Sequence, residues 1–200
     1  MCIRDSLCSH LIWLEHGEMK ANGPAQEVAT LYKEYSNQSV GQQLALESQQ
    51  GSFRRWGSQQ IELTSVRLLD LSGSEKSVFQ TGEAMVIEMC YLAHEPVPEP
   101  EFGLAFIRQD GFNISGPNTQ MAGVEFGTVE GSGLVRYHIS ALPLLPSRYQ
   151  ITAAIHDSRL MHAYDYHEHA YPFRVVAGDK PEIDGAVQLP AKWEWLQSNK

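Results

Sequence analysis

Leu145-Pro146-Ser147-Arg148-Tyr149-Gln150-Ile151-Thr152-Ala153-Ala154-Ile155-His156 decides how this chain folds. Tyr149, Ile151, Ala153 and Ile155 alternate with Gln150, Thr152, Ala154 and His156. A period of two marks a strand that buries one face. The strand follows a corner made by Pro146, and a tyrosine stands at its start.

The same period extends outward from this segment. Ile61, Leu63, Val66 and Leu68 alternate with one slip, which predicts a strand with a bulge near Thr64-Ser65. Ser72-Gly73-Ser74 turns the chain, and residues 85–92 form the next strand. Residues 94–101 carry Pro96, Pro98 and Pro100 at alternate positions and read as an extended loop rather than a ladder strand. Residues 102–108 alternate large and small, and Gln109-Asp110-Gly111 is a hairpin turn. Residues 134–140 alternate again. A last strand pair surrounds Asp157-Ser158-Arg159 and ends over residues 171–176. Seven or eight strands with short turns and no long helix read as an all-β, antiparallel β-sandwich. Tyr149 favours the immunoglobulin-like version, in which such a tyrosine donates its hydroxyl to upstream backbone and pins the corner. The alternative is a core tyrosine without that role.

The front of the chain differs. Residues 1–6 fit no element. Residues 10–15 are a short apolar strand, His16-Gly17 a turn, and residues 18–21 a returning strand. Asn22-Gly23-Pro24 opens a helix: Asn22 or Gly23 caps it, and Pro24 sits in its first turn, where a missing N–H is harmless. Val28, Leu31, Tyr32 and Tyr35 fall on one helical face, which needs a partner surface. Residues 36–52, rich in Gln and Ser, read as a linker with a short helix around Leu44-Ala45-Leu46 as the alternative. The expected division is 1–35, 36–52 as linker, and 53–200 as the sandwich.

Composition excludes several classes of function. Apolar residues make up 42% and charged residues 20%, as in a globular chain. The net charge of −9 argues against a nucleic-acid backbone as partner. No apolar run is long enough to span a bilayer, and no secretory signal is expected. Cys2, Cys8 and Cys90 make no disulfide framework, so a reducing, cytoplasmic setting is expected.

Particular motifs then carry a resemblance. Residues 7–24, Leu7-Cys8-Ser9-His10-Leu11-Ile12-Trp13-Leu14-Glu15-His16-Gly17-Glu18-Met19-Lys20-Ala21-Asn22-Gly23-Pro24, resemble the last strands and helix of an ABC-transporter ATPase domain. Arg55-Trp56-Gly57-Ser58, Asp110-Gly111 with Ile114-Ser115-Gly116-Pro117-Asn118-Thr119, Leu145-Pro146 with Tyr149, and Asp165-Tyr166-His167 before Tyr171-Pro172-Phe173-Arg174-Val175 resemble the C-terminal domain of Wzt-type ATPases. These are nucleotide-binding subunits of transporters that export O-antigen and related bacterial polysaccharides. The resemblance implies an immunoglobulin-like sandwich that binds the exported glycan, usually at its modified non-reducing end. It also implies a location at the cytoplasmic face of the membrane, contact with the permease through the ATPase domain, and a homodimer that exchanges its C-terminal strand. The chain departs from the family in lacking Walker A, signature and Walker B patterns, so no ATP hydrolysis and no cofactor are expected of it.

A sugar wants a shallow groove with an apolar platform and polar edges. If Phe102, Leu104 and Phe106 face the core, Gly103 and Ala105 line the outer surface of their strand, as Thr152 and Ala154 line theirs. Neighbouring strands with small outward residues make a trough, unless a loop or partner subunit covers them. Candidate carbohydrate-binding residues are Arg108, Asn118, Thr152, His156, Tyr164, Tyr166 and His167. Tyr164 and Tyr166 share strand parity and would offer stacking platforms. Arg108 and His156 would bond hydroxyls or an acidic substituent.

Rival readings remain. His156, His162, His167 and His169 with Asp157 and Asp165 suggest a metal site, though no histidine follows His169 to complete a cupin-like set. Asp157 and Asp165 are the carboxylates a glycosidase would use. The third alternative is a module that dimerises a transporter ATPase without touching glycan. Trp193 and Trp195, beyond the last clear strand, need burial on the sandwich or on a second copy.

Overall fold

The structure is a computed structural model that describes residues 8–50, 53–178, 182 and 184–196, with residues 33, 37, 38 and 42–50 in backbone only. Its elements are β1 (His10–Glu15), β2 (Glu18–Pro24), α1 (Ala25–Gln50), β3 (Arg54–Trp56), β4 (Ile61–Leu69) and β5 (Val78–Gln80). They continue with β6 (Met85–Pro98), β7 (Glu101–Arg108), β8 (Asn113–Ser115), β9 (Thr128–Ile139), β10 (Ser147–His156) and β11 (Ala163–Val176).

The strands from β3 onward form two sheets. One runs β3-β11-β10-β7-β8, with β5 added to β11, and the other runs β4-β6-β9. Pairing is antiparallel throughout except for β5 beside β11. Between the sheets lies one continuous apolar core. Ile61, Leu63, Met85, Ile87 and Met89 enter from one sheet, and Phe102, Phe106, Tyr149, Ile151, Ile155 and Phe173 enter from the other. Each such side chain contributes about 1.5–3 kcal/mol by leaving water, and the period of two in the sequence delivers them all to one side. The all-β sandwich expected from the sequence is therefore the fold.

Two local expectations are met. The β4–β6 register slips between Leu63 and Ser65, where the alternation breaks. Tyr149 is 1% exposed and donates its hydroxyl to the Leu145 carbonyl at 2.5 Å, four residues upstream, closing the corner before β10.

Three expectations are corrected. The segment read as a linker is helical, because α1 continues unbroken to Gln50. Gln, Glu, Ala and Leu are adequate helix formers, and no proline interrupts them. Pro24 ends β2 rather than opening the helix. The proline-rich stretch belongs partly to the ladder: β6 reaches Pro98, with Val97 opposite Val129 and Pro98 opposite Thr128. The Glu99 N–H bonds Gly127 on the β9 side, so alternate residues 96, 98 and 100 turn the other way. There β4 has already ended at Ile61, opposite Ala93, and no ladder bond is lost.

Electrostatic ties reinforce both sheets. Glu88, 2% exposed, lies between its cross-strand neighbours Arg67 and Arg136 and bonds both, with Arg136 Nε at 2.8 Å. The Arg67 and then the Arg136 guanidinium hold its carboxyl below the usual range. No helix among the described residues is long and apolar enough to cross a membrane. β1 and β2 pair as a hairpin on which α1 rests, with Trp13 against the rings of Tyr32 and Tyr35, and α1 also meets the sandwich, where Ser77 Oγ donates to Gly41 O at 3.3 Å.

Candidate functional site

The outer face of the larger sheet carries a row of residues in direct register. Trp56 on β3 pairs with Tyr166 on β11, Tyr166 with Ala154 on β10, Ala154 with Gly103 on β7, and Gly103 bridges Asn118. The middle of this row has almost no side chain. A cavity of ≈ 190 Å³ follows, floored by Gly103, Ala105, Thr152 and Ala154. Tyr166 and His156 border one side, Gly116, Pro117 and Asn118 the other, and Glu101, Leu104 and Leu160 complete the lining.

The walls are held from the backbone. Leu104 N–H donates to Pro117 O at 2.9 Å, and Thr119 N–H donates to Phe102 O at 3.0 Å. Asn118 uses Oδ1 to accept from Met121 N at 2.7 Å, turning the loop. The opposite loop is closed by Asp157, whose Oδ1 accepts from Met161 N and His162 N. Gln120 Nε2 then donates to Ser158 O at 2.7 Å, joining the two loops that border the trough.

An aromatic surface adjoins it. Trp56 stacks on Tyr166 with centroids 4.6 Å apart and planes at 21°, and His156 meets Tyr166 edge-on at 6.0 Å. Trp56 remains 44% exposed, so this platform faces water. Its position depends on Gly57, where φ is +140° and an added Cβ would stand 2.3 Å from Tyr164 O. Only glycine lets the chain leave β3 this close to β11, where Ser58 N–H and Gln59 N–H bond Ala163 O and Tyr164 O.

Of the seven candidates from sequence, Asn118, Thr152, His156 and Tyr166 line the trough. Thr152 Oγ1 accepts from His169 N at 2.9 Å. Burial pushes the His156 imidazole below its ordinary value, which favours the neutral ring at pH 7. The other three lie elsewhere. Arg108 shares strand parity with the core-facing Phe102, Leu104 and Phe106, and its guanidinium is bound to Asp110. Tyr164 is the extra residue of a bulge, since Ile155 faces Asp165 and His156 faces Ala163, and its ring packs on His162 at 5.1 Å. The parity it would share with Tyr166 is broken there.

His167 is interior, at 4% exposure. It belongs to a buried network. Asp165 accepts from Arg55 Nε at 2.9 Å, Arg55 Nη2 at 2.8 Å and Leu63 N at 2.7 Å. His167 Nδ1 meets the Tyr171 hydroxyl at 2.5 Å, and its Nε2 lies 3.2 Å from Asp165 Oδ2 without forming an aligned hydrogen bond. Burial opposes ionisation of Asp165. His167, Arg55 and the Leu63 N–H outweigh it and hold the carboxyl at about 2. Among the described residues, no three His, Cys, Asp or Glu side chains converge as metal ligands. His162 bonds Ser58 at the surface, and His169, on a bulge with φ +53°, is exposed.

Sequence reasoning missed Trp56 and Glu101 as site residues. Trp56 stands in the motif Arg55-Trp56-Gly57-Ser58, but its partner lies 110 residues away and the three-residue β3 shows no periodicity. Glu101 directly faces His156 across the β7–β10 ladder, a register no local pattern reveals.

Comparison with known proteins agrees with the β-sandwich fold. Residues 52–189 match the family model described as "Wzt C-terminal domain". A crystal structure of the C-terminal domain of wzt superposes with a TM-score of 0.67 at 12% identity, covering 74% of this chain and 90% of that one. A Niemann-Pick type C2 protein from Japanese carpenter ant aligns at a TM-score of 0.44 and 12% identity, over 62% of this chain and 98% of its own. No curated protein matches the sequence. The chain belongs to the Wzt C-terminal domain family, which is associated with ABC transporters that export polysaccharide.

Proposed function

We propose that the chain recognises an exported bacterial polysaccharide without chemically changing it, acting as the substrate-binding module of an ABC exporter. The observation that carries this reading is the row Trp56–Tyr166–Ala154–Gly103–Asn118. It offers an aromatic platform, a floor without side chains and a polar far wall, the three things a sugar ring needs. The O-antigen-like glycan would enter by its non-reducing terminus, in the cytoplasm beside the inner face of the membrane.

In this reading β1, β2 and α1 are the end of an ATPase domain, and residues 53–200 are the recognition domain. Exposed Ile12, Leu14, Met19 and Leu31 support that division, because they suit packing against the body of a motor domain. Helical α1 would couple the two parts more stiffly than a flexible linker. The module would work as a homodimer. Trp193 and Trp195 are 104% and 83% exposed on a tail whose last backbone hydrogen bond to the sandwich, among the described residues, is Gln188 N–H to Pro143 O. Their burial on a second copy would complete an exchanged strand.

Calorimetric titration with fragments of bacterial O-polysaccharide tests the reading. The expected result is saturable binding that weakens about tenfold or more in Tyr166→Ala and Gly103→Val. Gly103 suits this purpose because a Cβ there meets nothing nearer than 3.8 Å, so a side chain added at this position enters the trough. Equal binding by both variants, or none by the parent, would overturn it and leave an assembly module.

A further inference from the structure

The trough has a charge character that narrows its ligand. Glu101 is its one charged lining residue; among the described residues, no lysine or arginine lines it. Glu101 is 8% exposed and fixed in place: Thr119 Oγ1 donates to its Oε2 at 2.7 Å and itself accepts from Phe102 N at 3.0 Å. The ladder sets His156 opposite it, and burial disfavours a positive charge on that ring.

Three arginines around the trough are drawn to other carboxylates. Arg55 turns inward to Asp165, Arg54 lies 3.6 Å from Glu168 on the same outer face, and Arg108 is held by Asp110. Arg159 precedes Leu160 on an exposed turn and is not among the lining residues. A phosphate or carboxylate seated on the Gly103–Ala154 floor would lose water, find no cation, and face the Glu101 carboxylate.

We propose that this site selects a sugar terminus bearing no negative charge, with Glu101 as the residue that rejects anionic termini. The remaining polar groups, Asn118, Thr152, His156 and Tyr166, suit hydroxyls. The inference rests on the glycan-binding reading above and adds the class of sugar.

The test is an array of bacterial glycans with uncharged termini beside glycans ending in phosphate or uronic acid, probed at low salt with the parent chain and Glu101→Gln. Glutamine keeps an acceptor for Thr119 and removes the charge. The parent is expected to bind uncharged termini and to bind acidic ones at least about tenfold more weakly, and Glu101→Gln is expected to recover much of that deficit. Acidic termini bound by the parent as well as uncharged ones would overturn the selectivity while leaving glycan binding standing. An unaltered acidic deficit in a folded Glu101→Gln protein would overturn the role of Glu101. Silence across every glycan would overturn the reading beneath both.

Discussion

Tyr149 closes the corner ahead of β10 through one buried hydrogen bond to Leu145 O. Tyr149→Phe leaves that carbonyl without its donor while keeping the ring against Phe173, 5.3 Å away. The expected cost is about 1–3 kcal/mol in urea unfolding, and a variant as stable as the parent would contradict the pin. Asp165 acts differently, through charge. Its carboxyl titrates at about 2 when folded, below the unfolded value. The unfolded state therefore binds more protons across that interval, so this stabilisation is complete above about pH 4 and fades as pH falls toward 2. Asp165→Asn should remove that part of the acid sensitivity and, by weakening the bonds from Arg55 and Leu63 N–H while Arg55 keeps Glu62, destabilise the protein at pH 7 by about 1–3 kcal/mol. A parallel pair of pH–stability curves for the two proteins would contradict this. Single residues were legible in the sequence when their role is local. Tyr149 needs only a corner four residues back, and Tyr166 only an alternating neighbourhood. Tyr164 was misplaced because a strand changes parity where it bulges, whereas Arg108 and His167 lie on the inward parity of Phe102 and Asp165, which alternation alone assigns.

β11 is the element on which the site depends. Its two bulges isolate Tyr166 on the outer face and send Asp165 and His167 inward, so one strand serves both the trough and the buried network. β3 adds Trp56 to it through only three residues and a glycine exit. Gly57→Ala should therefore unseat β3, lowering stability by about 1–3 kcal/mol and changing Trp56 fluorescence as the stack on Tyr166 loosens. A variant with parental melting and parental emission would contradict this placement. Most strands were legible because half-buried antiparallel strands write their period into the sequence. Two elements were not. α1 presents polar Gln and Ser beyond Tyr35, so a helix there looks like a linker. The proline stretch of β6 looks broken, although its prolines fall on the side where β4 is already gone.

At the scale of the molecule, a hairpin-helix unit precedes a sandwich that carries its site on one outer face and an unburied aromatic tail beyond its last strand. A chain ending at Gly178 loses Trp193 and Trp195 and should run as a monomer or fall out of solution, where the 200-residue chain is expected to run as a dimer. Light scattering after size exclusion checks this, and an unchanged soluble dimer would contradict an exchanged tail. The central claim is that an oligosaccharide lies in the trough between Tyr166 and Asn118. Amide chemical-shift mapping during titration with an O-polysaccharide fragment tests it most directly. The account predicts perturbations centred on Gly103, Ala105, Asn118, Ala154, His156 and Tyr166, with the Trp56 indole among them. Perturbations confined to the β4-β6-β9 sheet, or none at saturating oligosaccharide, would contradict it.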